Sequence, residues 1–324
     1  VYPLEIDGWH AISIGFYSTT RNLSGVNDFL VRMSGDDTFS MLDPVRDDAF
    51  EQQQQLEEIF WKTADLTDQQ IVFGQLARRR GPGDGPGVVE CGPARIAYIK
   101  LVPLTDSEVV DLKRYRLDRK NKRLYAHNDA FSFQSKYRTT TAEQIRRQIE
   151  PYRDTDFSRI YWEVGGGDLL SFPSDIARDS AAIDLPKDYG RVTDRFRDEA
   201  SRILRNDGID QFQVALSHAH EVGLEFHGAY RLAAWTYPPP ILSYAFEGGM
   251  WEKRSELRCL DREGRYLPRL SYAFRETQDH ALSVLREMAR YSLDGIALLY
   301  NRRPPYIMYE QPLIDGFKNT HGQD

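Results

Sequence analysis

Glu163 and Glu310 each stand at or beyond the end of a short apolar stretch, RIYWEV (159–164) and IALL (296–299). Glycoside hydrolysis needs one carboxylic acid that protonates the leaving oxygen and a second carboxylate that acts as nucleophile or base. Parallel α/β enzymes place their active sites at the carboxyl ends of the strands. The two glutamates are therefore the predicted catalytic pair.

Polar and aromatic side chains lie near the ends of the same and neighbouring stretches. Tryptophan and tyrosine rings suit stacking on a sugar face, and guanidinium groups match a carboxylate or a sulfate, so an anionic sugar is one predicted substrate. The arginines could equally neutralise nearby glutamates, and that alternative stays open. The predicted substrate-binding residues are Asp129, Trp162, Asp168, His227, Tyr230, Arg231, Trp235 and Arg302.

The stretch GLEFHGAYR (223–231) alternates between polar and apolar residues. In a strand, Glu225, His227 and Arg231 share one face, while Leu224 and Phe226 share the other. In a barrel the polar face would point into the lumen, where charged groups are paired or functional because an isolated buried charge is costly. A structural network, either Glu225–Arg231 or His227 with a carboxylate, is the alternative interpretation.

No metal or cofactor is predicted. His218 and His220 point to different sides of a helix, and the sequence contains no HExxH, CxxC or GxSxG motif. The GGGD turn (165–168) lacks the GxGxxG spacing of a dinucleotide site.

The composition excludes several classes of protein. The 324-residue chain is 41% hydrophobic and 28% charged, as in globular proteins, and its net charge of −7 argues against a broad nucleic-acid surface. No apolar run approaches the ~20 residues of a membrane-spanning helix. Cys91 and Cys259 are the two cysteines of the chain and lie far apart in sequence, which excludes a disulfide framework and leaves a single long-range bridge as an open alternative. Neither a nucleic acid nor a membrane is a predicted partner.

The first 115 residues predict a domain of short strands separated by turns. That pattern is typical of a β-sandwich of the jelly-roll type, which would be a candidate carbohydrate-binding module. Within it, Gln53–Lys62 is predicted as a short helix and the glycine-rich stretch 81–87 as a mobile hairpin tip. Residues 105–123 are predicted to form a charged connector.

Residues 116–324 form the second predicted domain, in which strands alternate with helices. A βα repeat builds a parallel sheet, and a closed TIM barrel needs eight strands and ~250 residues, so the N-terminal half of a TIM-like barrel is predicted. The fold class is therefore α/β, with a β-sandwich before half a barrel. The predicted strands are Leu124–Ala130, Arg159–Val164, Gly223–Ala229 and Ile296–Leu299, and the predicted helices are Thr139–Tyr152, Tyr189–Val222 and Glu276–Tyr291.

Four strands leave a barrel open, with an unpaired edge. We therefore expect the remaining barrel strands on roughly 100–200 further residues or on a second chain, together with at least one catalytic carboxylate.

Three segments resemble the bacterial glycoside-hydrolase-like TIM-barrel proteins: IYWEVGGGDLLSFPS (160–174), AHEVGLEFHGAYRL (219–232) and LDGIALLYNRRPPYIMYEQPLIDGF (293–317). In that family a β-sandwich segment with GWH and WKxADLT motifs precedes the barrel, and both motifs occur here, at 8–10 and 61–67. The resemblance implies a secreted glycoside hydrolase that degrades a poly- or oligosaccharide, with an extracellular or periplasmic location favoured.

One position departs from the related barrels. Many of them carry an aspartate in the fourth strand, in a DGIxxD arrangement, where this chain has Leu299. The alternative hypothesis is therefore a non-catalytic glycan-binding protein on a glycosidase-like scaffold. A third hypothesis is an assembly protein that buries the Trp- and Tyr-bearing loop 235–251 against another subunit.

Overall fold

A computed structural model of the chain describes residues 1–18, 29–36, 38–42, 55–75, 78–79, 88–89, 95–186, 188–237, 243–301 and 305–322. The chain divides into two compact units, Val1–Asp118 and Arg119–Asp324. The sequence predicted a domain boundary between residues 115 and 116. No helix in the described ranges is long and apolar enough to cross a membrane. The predicted hairpin tip at 81–87 lies outside these ranges.

The described residues of the N-terminal unit, Val1–Asp118, form antiparallel sheets and one helix. Its strands are β1 (Tyr2–Pro3), β2 (Trp9–Ser18), β3 (Phe29–Met33), β4 (Ser40–Leu42), β5 (Gln55–Asp65), β6 (Gln70–Gln75), β7 (Arg78–Arg79), β8 (Val88–Val89) and β9 (Arg95–Pro103), and its helix is α1 (Asp106–Leu117). One sheet has the order β1-β6-β3-β4, a second has the order β5-β2-β9, and β7 pairs with β8.

The two larger sheets contribute side chains to one apolar core. Alternation in β2 buries Ile12 and Ile14, which pack in the same cluster as Val31 of β3 and Ile71 of β6. Alternate residues of a strand point to opposite faces, so each sheet places one apolar face toward this cluster.

Two predictions for this unit are wrong in detail. The predicted helix at Gln53–Lys62 is the strand β5, which pairs with β2 along its length. Ile59 and Trp61, two residues apart, pack on the core, and that spacing is the period of a strand.

The segment predicted as a charged connector, residues 105–123, contains the helix α1, which begins with a capping box between Thr105 and Glu108.

The C-terminal unit, Arg119–Asp324, alternates strands with helices. Its strands are β10 (Leu124–Asn128), β11 (Phe157–Gly166), β12 (Leu169–Leu170), β13 (Arg178–Asp179), β14 (Glu225–Arg231), β15 (Arg258–Leu260), β16 (Tyr266–Leu270) and β17 (Gly295–Leu299). Its helices are α2 (Ser132–Tyr137), α3 (Ala142–Arg146), α4 (Val192–Asn206), α5 (Gln211–Glu221), α6 (Met250–Lys253), α7 (Arg275–Met288) and α8 (Gln311–His321).

Strands β10, β11, β14 and β17 are parallel neighbours in that order. The prediction of four parallel strands is therefore confirmed within this unit. The end of β11 also pairs with β12 in an antiparallel hairpin, which leads to β13. These six strands form an open sheet, β15 and β16 form a separate antiparallel pair, and no closed barrel is present among the described strands.

One face of the parallel sheet packs on the helices. Ile160 and Trp162 of β11 and Phe226 of β14 lie in a single core with Phe212 of α5 and Val284 of α7. The sequence predicted that β17 is fully buried, and this prediction is wrong, because β17 is an edge strand. Among the described strands it pairs with β14 alone, and Ile296 and Leu298 remain 37% and 42% exposed.

Two predicted helices are interrupted. Tyr189–Val222 is not one helix, because α4 ends near Gly208, whose φ of 70° is left-handed and favours glycine. The predicted helix Thr139–Tyr152 is reduced to the short α3 and a 3₁₀ turn at Glu150–Tyr152.

Candidate functional site

A buried ion pair joins the ends of β11 and β14. Arg231 Nη2 donates a 2.8 Å hydrogen bond to Glu163 Oε1 and lies 2.7 Å from Glu163 Oε2. The His127 Nε2 atom on β10 lies 2.9 Å from the same Oε1. Glu163 has no exposed surface, so the carboxylate depends on these side chains rather than on water.

Strand register brings these groups together. Glu163 pairs with Ala229, a shift of register follows, and Gly166 pairs with Arg231. Glu163, Ala229 and Arg231 therefore share a face at the carboxyl end of the sheet. Burial alone would lower the pKa of Arg231, but the charge and hydrogen bond of Glu163 hold that pKa above its ordinary value.

The rest of the same sheet face is also polar. Arg159 Nη2 lies 2.6 Å from Glu225 Oε2, and the ring of Tyr161 meets His227 edge-on at 5.2 Å. The alternation predicted for β14 is confirmed. Of the two forms of the alternative network, the Glu225–Arg231 pair is not formed, since each of these residues pairs with a residue of β11, whereas His227 does lie near a carboxylate, with its Nε2 3.6 Å from Glu225 Oε2. Burial and Arg159 lower the pKa of His227.

A cavity of about 350 Å³ opens at the carboxyl end of β11 and β14. Arg231 and the backbone of Gly165 and Gly166 form part of its wall. Hydroxyl, carboxylate and guanidinium groups add to the lining from the loop after β10, from α2, from α4 and its N-terminus, and from the segments after β13 and β14. These residues are Asp129, Ser132, Ser135, Ser180, Arg191, Thr193, Asp194, Arg197 and Tyr237.

Asp129 contributes an ionised carboxylate to the cavity. Its Oδ1 accepts hydrogen bonds from the backbone N–H groups of Phe131 and Ser132, and its Oδ2 accepts one of 2.6 Å from the Ser132 hydroxyl. Burial raises the pKa of Asp129, but these hydrogen bonds and the Arg231 charge together bring it below its ordinary value. The prediction of Asp129 as a substrate-binding residue fits this position and stays a prediction.

Each arginine that α4 and its N-terminus place at the cavity has its own carboxylate. Arg191 binds Asp194 through two hydrogen bonds of 2.5 and 3.1 Å. Arg197 Nε donates a 2.7 Å hydrogen bond to Asp198, which also accepts one from the Tyr244 hydroxyl.

The glycines of the GGGD turn serve chain packing. A Cβ on Gly166 would lie 2.4 Å from the Arg231 carbonyl oxygen, and one on Gly165 would lie 2.4 Å from the Leu169 carbonyl oxygen. The φ of 106° at Gly165 also favours glycine. Glycine is therefore required at both positions because the chain itself occupies the space that a Cβ would need.

The three predicted stacking rings, Trp162, Tyr230 and Trp235, have no exposed surface. Trp162 packs between Phe133 and Phe226, and the Tyr230 hydroxyl donates a 2.7 Å hydrogen bond to the Gly167 carbonyl. Their predicted role in stacking on a sugar is not supported by these positions, because a ring with no exposed surface has no face to offer a ligand. Burial raises the pKa of Tyr230 well above its ordinary value.

Asp168 and His227 also lie outside the cavity lining. Asp168 accepts a 2.7 Å hydrogen bond from the Met250 backbone N–H and lies 3.4 Å from Arg178 Nη2. Asp168 thus connects the GGGD turn to the start of α6. His227 lies against Gly295, where a Cβ would come within 2.5 Å of the imidazole.

Glu310 is buried at the start of α8. Its Oε1 accepts a 3.0 Å hydrogen bond from the Leu260 backbone N–H, and its Oε2 accepts one of 2.8 Å from the Met308 backbone N–H. Burial, together with Glu310, raises the pKa of the neighbouring Cys259 to about 12. Neither Glu163 nor Glu310 is among the residues that line the cavity, so the structure does not bring the predicted catalytic pair together there.

The predicted substrate-binding residue Arg302 lies outside the described residues. Other residues at the site, on β10 and α4, were not predicted from the sequence. The alternation applied to β14 would also have placed His127 on the polar face of β10. On α4, the buried positions Asp194, Arg197, Asp198 and Ser201 recur every three or four residues, which is the signal of charged groups on an inward-facing stripe. In the described ranges, no group of three His, Cys, Asp or Glu side chains could hold a metal ion.

No protein-family model matches the chain, and no curated protein matches it. Among solved structures, a noncanonic maltogenic alpha-amylase from Thermotoga neapolitana is similar at 12% identity and a TM-score of 0.31, covering 63% of this chain and 44% of its own. An alpha-xylosidase from Xanthomonas citri is similar at 11% identity and a TM-score of 0.26, covering 91% and 29%. The chain thus spans less than half of either protein, and the likeness to these glycosidases is distant.

Proposed function

We propose that the protein binds a poly- or oligosaccharide in the cavity at the carboxyl ends of β11 and β14. The observation that carries the proposal is the lining itself, in which Asp129, Arg231, Tyr237 and several serine hydroxyls converge on one cavity of about 350 Å³. A sugar presents many hydroxyl groups, each able to donate and accept hydrogen bonds, and such a wall supplies partners of both kinds.

Binding without hydrolysis is the form of this proposal that the geometry supports best. Both oxygens of Asp194 accept hydrogen bonds from Arg191, and both oxygens of Glu163 lie within 2.8 Å of Arg231 Nη2, so each of these carboxyl groups is already occupied by a guanidinium group. Glycoside hydrolysis needs a carboxyl group that is free to protonate the leaving oxygen.

An oligosaccharide panel tests this proposal with Asp129→Asn as the variant. The amide has the shape of the carboxylate but loses its charge, so we expect at least tenfold weaker binding to whichever glycan the wild type retains. Asp261→Asn is the matched control, because Asp261 also accepts hydrogen bonds from nearby backbone N–H groups but lies outside the cavity lining. Absence of binding to every glycan, or equal binding by wild type and Asp129→Asn, would contradict the proposal.

A glycoside hydrolase is the second candidate, and the ionised state of Asp129 favours it. A carboxylate with a lowered pKa at a strand end is suited to the role of nucleophile or base. In this case wild type releases reducing ends from a polysaccharide, and Asp129→Asn loses roughly a thousandfold or more in rate. The predicted pair is tested in the same assay, since activity equal to wild type in Glu163→Gln or Glu310→Gln removes that residue from the catalytic residues.

The proposal includes the finer architecture predicted from the sequence, a β-sandwich followed by half of a TIM-like barrel. The core shared by the two N-terminal sheets supports the sandwich, and the run of four parallel strands supports the barrel. An experimental structure of the protein bound to a saccharide would test both. A flat doubly wound sheet with helices on both faces would contradict the barrel.

A further inference from the structure

We infer that the strand-end cavity selects an uncharged sugar and discriminates against a uronic or sulfated one. This inference rests on the proposed binding of a saccharide in the cavity, and it concerns the charge of that saccharide. It reverses the expectation, drawn from the arginines in the sequence, of an anionic substrate.

The first argument is that each arginine in the described cavity lining already has a carboxylate partner. Arg191 is held by Asp194 through both Nε and Nη2. Arg197 is held by Asp198, and Arg231 is held by Glu163. An anionic sugar would have to displace a carboxylate from its arginine and leave that carboxylate buried without a partner, which is unfavourable.

The second argument is the balance of charge at the cavity. Three guanidinium groups stand against four carboxylates in the described lining and its immediate partners, so the arginines leave one carboxylate without a matching guanidinium charge. The additional carboxylate is Asp129, whose hydrogen-bond partners are backbone N–H groups and a hydroxyl. Like charges at close range repel, so a uronate would be disfavoured before it made any contact. The groups counted are Asp129, Glu163, Arg191, Asp194, Arg197, Asp198 and Arg231.

The third argument is burial. Asp194, Arg197 and Asp198 are each at least 97% buried, and Glu163 is wholly buried. Charges in such surroundings are screened weakly by salt, so their effect on a ligand in the cavity is larger than that of surface charges.

The experiment uses matched pairs of methyl glycosides that differ only at C6: glucoside and glucuronide, galactoside and galacturonide, mannoside and mannuronide. Binding to the full chain is measured by saturation-transfer NMR and by titration calorimetry. For the sugar configuration that binds, we expect the uronide to bind at least tenfold more weakly than its neutral partner, and raised ionic strength to narrow the difference only slightly.

Asp194→Asn tests the cause of the discrimination. The change removes the charge that neutralises Arg191, so the ratio of uronide to neutral affinity should rise at least tenfold. Glu199→Gln is the matched control on the same helix, because Glu199 pairs with Arg195, and neither residue lines the cavity. The control should leave the ratio unchanged. Circular dichroism and thermal unfolding confirm that each variant is folded.

The outcomes are distinguishable. Uronides that bind wild type as tightly as their neutral partners would overturn the inference while leaving saccharide binding in place. An unchanged ratio in folded Asp194→Asn would overturn the assignment of the discrimination to paired arginines. No binding by any neutral sugar or uronide, or by the oligosaccharide panel, would overturn the proposed function itself and this inference with it.

Discussion

Two buried glutamates of the C-terminal unit are held in different ways. Glu163, at the end of β11, faces Arg231 and His127, and Arg231 in turn lines the cavity. Glu310, before α8, is bound by the backbone N–H groups of Leu260 and Met308. Both are completely buried and both were predicted as catalytic.

The difference shows what kind of partner connects a buried carboxylate to a ligand. A wholly buried carboxylate that is bound by backbone N–H groups and lies outside the cavity lining, as Glu310 does, fixes the chain around it. A carboxylate bound by an arginine that faces a cavity controls the charge and the orientation that a ligand meets. On this comparison Glu163 belongs to the candidate site, and Glu310 belongs to the packing of the C-terminal segment.

The largest expected effect is that of Glu163→Gln. The change leaves the charge of Arg231 buried without its partner, which should lower the free energy of unfolding by about 3–5 kcal/mol. Urea denaturation measures this loss. The double variant Glu163→Leu with Arg231→Met removes both charges, and its loss should be smaller than that of Glu163→Gln alone. A double variant at least as unstable as the single one would show that the unpaired charge is not the cause.

A smaller loss is expected for Glu310→Gln. The amide oxygen can accept from one of the two backbone N–H groups, but the NH₂ group faces the other N–H, so about 1–3 kcal/mol of stability should be lost. Glycan binding should be unchanged, because Glu310 is outside the cavity lining. If Glu310→Gln instead abolished binding while the protein stayed folded, the contrast between the two glutamates would be wrong.

Two glycines extend the comparison to the backbone. Gly166→Ala should destabilise by about 1–3 kcal/mol and weaken glycan binding, because the added Cβ would lie 2.4 Å from the Arg231 carbonyl oxygen. Gly316 lies within α8, and a Cβ added there would meet no described atom within 4 Å, so Gly316→Ala should stabilise by up to about 1 kcal/mol. Thermal unfolding of both variants measures whether each change lowers or raises the stability of the protein. Equal changes in stability for the two variants would show that the chain around Gly166 is no more tightly packed than the chain around Gly316.

The smallest effect concerns pH. The pKa of Asp129 is lowered in the folded protein, so its carboxylate adds stability above the unfolded pKa of roughly 3.9, and that stability is lost as pH falls through the lower folded value. Asp129→Asn lacks this contribution. The unfolding free energies of wild type and variant should therefore converge as pH is lowered from about 5 toward about 2. Parallel curves over that range would contradict the lowered pKa.

Much of the local structure followed from the sequence. The four parallel strands were predicted because short apolar stretches were bounded by turn residues and separated by helical patterns, which are features of neighbouring residues. The helix prediction at Gln53–Lys62 failed because the pairing of β5 with β2 outweighed local preference. The uninterrupted helix predicted at Tyr189–Val222 failed because the break at Gly208 was overlooked.

The site was predicted only in part. By itself the sequence determined that Glu163, Asp129 and Arg231 stand at strand ends, since alternation and strand length fix those positions along the chain. Only the tertiary structure decided that Arg231 binds Glu163, 68 residues away, rather than Glu225, and that α4 and its N-terminus supply two further paired arginines. The physical reason is that an ion pair depends on strand register and helix placement, and these are set by the packing of the whole unit rather than by the spacing of residues in sequence.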